Sequence, residues 1–138
     1  MATRILIAYD GSETARRAAE EGAALARALS AEIHLVNVVD DARDRQGLTI
    51  AADQETRVEH AQDVTGALVR ELFEGLAWGV HVEQGSAGPA IVACADENDV
   101  DVIVVGNKRV QGIERVLGSV AIHVLRHASC SVYVAHTT

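Results

Sequence analysis

Glycine and basic residues cluster once in this chain in a way that suits an anion. Gly106-Asn107-Lys108-Arg109 follows an apolar, mostly β-branched run, Val102 to Val105. Gly112 adds another glycine before Gly118-Ser119 opens an apolar-periodic helix. A buried strand, a basic glycine-bearing loop and a helix start are the parts of a phosphate cradle. Glycine lets backbone N–H groups approach an anion, and a helix N-terminus offers unpaired donors at the positive end of its dipole. Lys108 is the only lysine, and it stands in this loop. A second polar strand end is Asp10-Gly11-Ser12, after the apolar stretch 3–9. Asp10 or Ser12 can cap the helix that follows, and Asp10 with Glu13 fits a capping box. Set opposite the basic loop, Asp10 could also accept hydrogen bonds from a ribose or an adenine edge, with Lys108 and Arg109 on phosphates. Ser119 has two candidate jobs, capping its helix and donating to a phosphate.

Other chemistries find less support. The loop lacks GxxxxGK[ST], and no GxGxxG follows the first strand, so neither the P-loop nor the dinucleotide fingerprint is present. The six histidines are dispersed, and His123 and His127 stand four apart without a third ligand in the pattern, so no metal site is expected. No nucleophile–base pair is evident, and no catalytic residue is assigned. Cys94 and Cys130 lie far apart in apolar contexts and read as free, buried thiols, which fits a cytoplasmic protein.

A length of 138 residues suits one domain over 1–138. Hydrophobic content of 49% with 3% aromatics predicts a core of Ala, Val, Leu and Ile. A net charge of −8 argues against nucleic acid as a partner, because phosphate backbones select basic surfaces. No apolar run approaches the ~20 residues that span a membrane. The N-terminal residues read as a first strand and not a signal peptide.

Periodicity supplies the elements that must position these residues. Strands are predicted at 3–9, 32–39, 80–84, 101–105 and 131–135. Helices are predicted from Ser12 to Leu29, Gln54 to Ala77, the turn at Pro89 to Asn98, and Ser119 to Arg126. The second carries Val58, Ala61, Thr65, Leu68, Leu72 and Leu76 on its core stripe. The third buries Ile91 with Cys94 or Ala95, and the last turns Val120, Val124 and Leu125 inward. Residues 40–54 are polar, and a lid over a site is their functional reading. Alternation of this kind calls for an α/β fold, an open parallel sheet with helices on both faces. Ligands then bind beyond the carboxyl ends of the strands, where the winding reverses. The last strand, at an edge, invites pairing with a second copy.

Asp10-Gly11-Ser12 after the first strand, with a late GNK…LGSV, a helix and SCSVYVAH, resembles the universal stress protein family across essentially the whole chain. The resemblance implies a Rossmann-like, adenine nucleotide alpha hydrolase-like sheet of five parallel strands in the order 3-2-1-4-5, and a homodimer through the last strand. It implies a stress-response module that binds an adenine nucleotide, ATP first, with or without Mg, and hydrolyses it slowly if at all. Cyclic AMP, or no nucleotide at all in a pure dimerisation module, are the alternatives. The family's glycine motif reads G, two residues, G, nine residues, then G and Ser or Thr. Its first glycine falls on Gly106 and its final pair on Gly118-Ser119. The resemblance also implies that Asp10 contacts the nucleoside, that the backbone near Val38 meets the base, and that Val120 donates beside Ser119. The binding set is therefore Asp10, Ser12, Val38, Gly106, Lys108, Arg109, Gly118, Ser119 and Val120. The chain departs from the motif in two ways: Arg109 replaces the second glycine, and eight residues, Val110 to Leu117, stand where the family has nine. Arginine would fill the loop with bulk or offer a guanidinium fork in place of backbone contacts.

Overall fold

The computed structural model describes residues 2–39, 53–109, 115–116 and 118–137. Residues 40–52 of the predicted lid, and Gly112, lie outside them. In chain order the elements are β1 (Arg4–Ala8), α1 (Glu13–Leu29), β2 (Glu32–Val39), α2 (Asp53–Leu72), β3 (Trp78–Gln84) and α3 (Ala87–Glu97). They continue with β4 (Val102–Gly106), β5 (Lys108–Arg109), β6 (Arg115–Val116), α4 (Ser119–His127) and β7 (Ser131–Ala135). The main sheet runs β3-β2-β1-β4-β7, every pair parallel. With β7 as its fifth strand, this is the expected 3-2-1-4-5 order.

Strand alternation sorts the core into two layers. Ile5, Ile7, Ile33, Leu35 and Val104 face α1 and α2. Leu6, Val36, Ile103 and Val105 face Ile91, Cys94 and Ala95 of α3 and Ala121 and Val124 of α4. Both faces of the central strands are thus covered, as a parallel sheet requires.

α1 meets the sheet through small residues: Ala15, Ala18, Ala19, Gly22, Ala23 and Ala26 are buried. The approach is close enough that a Cβ on Gly22 would stand 2.5 Å from Ile7 Cδ1, and Ile7 is fully buried. Gly22→Ala gains about 0.8–1 kcal/mol of helix propensity but loses about 1–3 kcal/mol to overpacking. The expected net is a loss near 1 kcal/mol, visible as a lower urea midpoint. Adding Ile7→Val, which removes the clashing methyl, should recover part of it; a Gly22→Ala protein more stable than its parent would mean the core yields.

The structure departs from the sequence reading in α2, β3 and α4. α2 ends at Leu72 rather than Ala77. Gly75 adopts φ +80°, and the Arg27 guanidinium donates to the carbonyls of Leu72 (2.9 Å) and Glu74 (3.1 Å), satisfying the last helical carbonyl and one just beyond it. The buried face of α2 also includes Val69, and Phe73 is buried just beyond its end. β3 starts at Trp78, with Gly79 paired to His34. Finally, α4 buries Ala121 and Val124, while Val120 and Leu125 remain 36% and 44% exposed. The apolar stripe of that helix is wider than the core beneath it.

Candidate functional site

The turn after β1 is built by its own side chains. Asp10 Oδ1 accepts the Ser12 N–H at 2.9 Å, and Gly11 takes φ +86°, a conformation glycine reaches without strain. Ser12 is the N-cap: its Oγ accepts the Ala15 N–H at 3.1 Å. Glu13 reaches forward to Arg17 at 3.3 Å, so Ser12, not an Asp10–Glu13 box, closes the helix. The Asp10 carboxylate is left on an exposed residue at the carboxyl end of β1.

Across the sheet, α4 begins differently. Gly118 is its N-cap, with φ −67°, and no side chain caps the helix. Ile122 donates back to the Gly118 carbonyl at 3.0 Å, so the N–H groups of Ser119, Val120 and Ala121 precede the first intrahelical bond. Gly118 therefore takes the capping position that the sequence offered to Ser119.

Between these two ends lies a cavity of about 210 Å³. β1 and its turn contribute Asp10 and Ser12, β2 contributes Val38 and β4 contributes Gly106. The start of α4 contributes Gly118, Ser119 and Val120. Seven of the nine proposed binding residues are thereby brought together. Lys108 and Arg109 follow directly, but their backbone forms a short antiparallel ladder with Arg115 and Val116 where irregular loop was expected. Their side chains lie outside the described atoms, as do Val110 to Gly112 in the predicted loop.

Sequence reasoning missed several lining residues, among them Tyr9, Thr14, Val36 and, on α3, Ala87 and Ile91. Val36 was within reach: it shares the pleat of Val38, two residues on. Ala87 and Ile91 are four apart on one face of α3, but Ala87 was expected in the turn before the helix and Ile91 only in the core. Gly106 serves by clearance, since a Cβ there would stand 3.0 Å from Thr137 Cγ2 and 3.1 Å from Thr14 Cγ2. Asn107 is turned away from anion duty. Its Oδ1 accepts the Thr137 N–H at 3.0 Å, its N–H donates to Ala135 O at 3.2 Å, and its carbonyl accepts the Thr137 hydroxyl.

Burial pushes the Tyr9 phenol above its ordinary pKa. Both cysteines are free thiols; Cys94 is buried, whereas Cys130 is only half-buried. Burial, with Glu83 and Glu97 nearby, pushes the Cys94 thiol up to about 11. Burial and then His34 pull the His81 imidazole down. Among the described residues no helix is long and apolar enough to cross a membrane.

The universal stress protein family model matches residues 1–136. Universal stress protein MJ0531 of Methanocaldococcus jannaschii is 32% identical over 137 residues, covering 95% of this chain and 80% of the relative. Among solved structures, hypothetical protein MJ0577 superposes with a TM-score of 0.83 at 24% identity, over 100% of this chain and 98% of that one. A universal stress protein in complex with cAMP has a TM-score of 0.67 at 23% identity, covering 99% and 98%. One from Archaeoglobus fulgidus in complex with dAMP has 0.70 at 23%, covering 97% of each chain. The family match over nearly all residues agrees with the strand order and with the cavity at the switch point, and this chain belongs to the universal stress protein family.

Proposed function

We propose that this protein binds an adenine nucleotide, ATP in the first instance, in the cavity between Asp10 and the start of α4, and acts in the cytoplasm as a stress-response signalling module. One observation carries the reading: the uncapped N-terminus of α4 and the carboxylate of Asp10 line the same cavity from opposite sides. The amides of Ser119 and Val120 suit phosphate oxygens, Asp10 suits ribose hydroxyls, and Val36, Val38 and Ile91 give an apolar bed for a base. Structural neighbours in complex with cAMP and dAMP support adenine as the base. Gly106, Lys108 and Arg109 complete the phosphate side, with or without Mg. No catalytic residue is assigned, and the protein is read as a binder first.

Cyclic AMP is the second reading. It is favoured by Arg109 in place of the motif glycine and by a loop one residue shorter than the family's, with less backbone to wrap a polyphosphate. Calorimetric titration with ATP, ADP and cyclic AMP separates the two. ATP at 100 times its dissociation constant should stabilise the fold by about 2.7 kcal/mol. Tight binding of cyclic AMP alone would select the second reading. An absence of heat and of thermal shift with all three would leave only a nucleotide-free dimerisation module.

The same proposal includes a homodimer through β7. That strand ends one edge of the sheet, and Tyr133 and Val134 on it are 37% and 36% exposed. Ile122 and Leu125 of α4 extend the apolar face. Light scattering should give twice the chain mass, and a monomer at every concentration would remove this part.

A further inference from the structure

A separate cluster lies where the edge strand β3 meets α3. His81 and Glu83 are two residues apart on β3 and so project from the same face of the sheet. Cys94 meets them from α3. One possible ligand atom from each of the three lies within 4.8 Å of the other two. Cys94 is 1% exposed, and the other two are half-buried. None of the three lines the nucleotide cavity.

Hydrogen-bond bookkeeping assigns the tautomers. Glu32 Oε1 lies 2.7 Å from His34 Nε2, and an ionised carboxylate only accepts, so that nitrogen carries the proton. In neutral His34, Nδ1 is then an acceptor. It lies 3.0 Å from His81 Nε2, which must donate, and His81 Nδ1 keeps its lone pair. A carboxylate–imidazole–imidazole relay of this kind orients a metal-binding histidine and raises its basicity. The relay is fixed sterically as well. The His34 ring lies across Gly79, where a Cβ would stand 2.7 Å from Nδ1. On the other side, Asn98 Nδ2 donates to the Cys94 carbonyl at 2.8 Å and lies 3.7 Å from Cys94 Sγ, a weak donor that only partly offsets the burial and carboxylates holding this thiol protonated without a metal.

We propose that His81, Glu83 and Cys94 bind a divalent transition metal of the zinc class, with Glu32 and His34 as the outer relay. Sulfur, nitrogen and carboxylate together select zinc-like ions over magnesium or calcium. Three protein ligands leave a fourth position for water. Cys94 gives up its thiol proton to solvent on binding. The ion then clamps β3, the sheet edge opposite β7, to α3. A core thiol beside two polar edge residues is the plain alternative. It accounts for the burial of Cys94 but not for two imidazoles aligned on a carboxylate.

Cobalt(II) is the probe, titrated into the reduced, untagged, metal-free chain. The expected result is one equivalent bound, with a near-ultraviolet thiolate-to-cobalt band and the intense visible bands of four-coordinate cobalt, bleached by one equivalent of zinc. Cys94→Ser should remove the thiolate band, and Cys130→Ser should keep it. His34→Gln should keep the band but weaken binding roughly 10–100-fold, marking His34 as a positioning residue. If Cys94→Ser does not fold by circular dichroism, the half-exposed His81→Ala and Glu83→Gln carry the test, each losing the four-coordinate spectrum. A spectrum equal to that of the aqueous ion overturns the site. So does a thiolate band that survives Cys94→Ser or disappears with Cys130→Ser. Unchanged affinity in His34→Gln overturns the relay.

Discussion

Ser119→Asp should weaken ATP binding by more than about 100-fold while leaving the fold slightly more stable. The two effects have opposite signs because they act on one set of amides. A carboxylate in the first turn of α4 complements the helix dipole and contributes about 0.3–1 kcal/mol of stability. In the proposed site the same carboxylate would face the phosphates, and like charges brought together cost several kcal/mol. Ser119 is an exposed residue, so the change creates no cavity and no buried charge. Titration calorimetry and a thermal melt on one preparation read both signs. Wild-type affinity in the variant would place the phosphates elsewhere, and a large loss of stability would mean the hydroxyl is structural.

Phe73→Ala is the largest stability loss we expect from a single truncation, about 3–5 kcal/mol, or roughly 10–20 °C in melting temperature. Domains of ordinary stability hold only about 5–15 kcal/mol, so this is a large share. Phe73 is the chain's one phenylalanine and is 1% exposed. It sits just past α2, its N–H bonded to Val69 O at 3.0 Å, and packs in the layer built on the alanines of α1. Those short side chains cannot reach into the space it would vacate. A loss below 1 kcal/mol by urea unfolding would show that α2 swings in to close the gap. Nucleotide affinity should change little, because Phe73 does not line the cavity.

The central strands and the two polar strand ends were legible because their signals are local and strong, whereas the strand order came from the family resemblance. Val102 to Val105 is apolar throughout, and Asp10-Gly11-Ser12 carries a turn, a cap and a charge in three residues. Less was legible where a helix amphipathic in sequence meets a core narrower than its stripe. Val120 and Leu125 have the right spacing, yet they flank the Ala121–Val124 stripe on either side, and the core covers neither fully. The end of α2 depended on Arg27, 45 residues before Leu72 in the chain, which no local pattern contains. The ladder at Lys108–Arg109 escaped notice because two rungs leave no periodicity to read. The histidines looked scattered because pairing between strands 47 residues apart brings His34 and His81 together.

The grip of Asn107 on Thr137 has a mechanical consequence. Asn107 is the next residue after Gly106, and it holds Thr137 by both backbone and hydroxyl. Strain entering at Thr137 therefore arrives within one peptide unit of the cavity wall at Gly106.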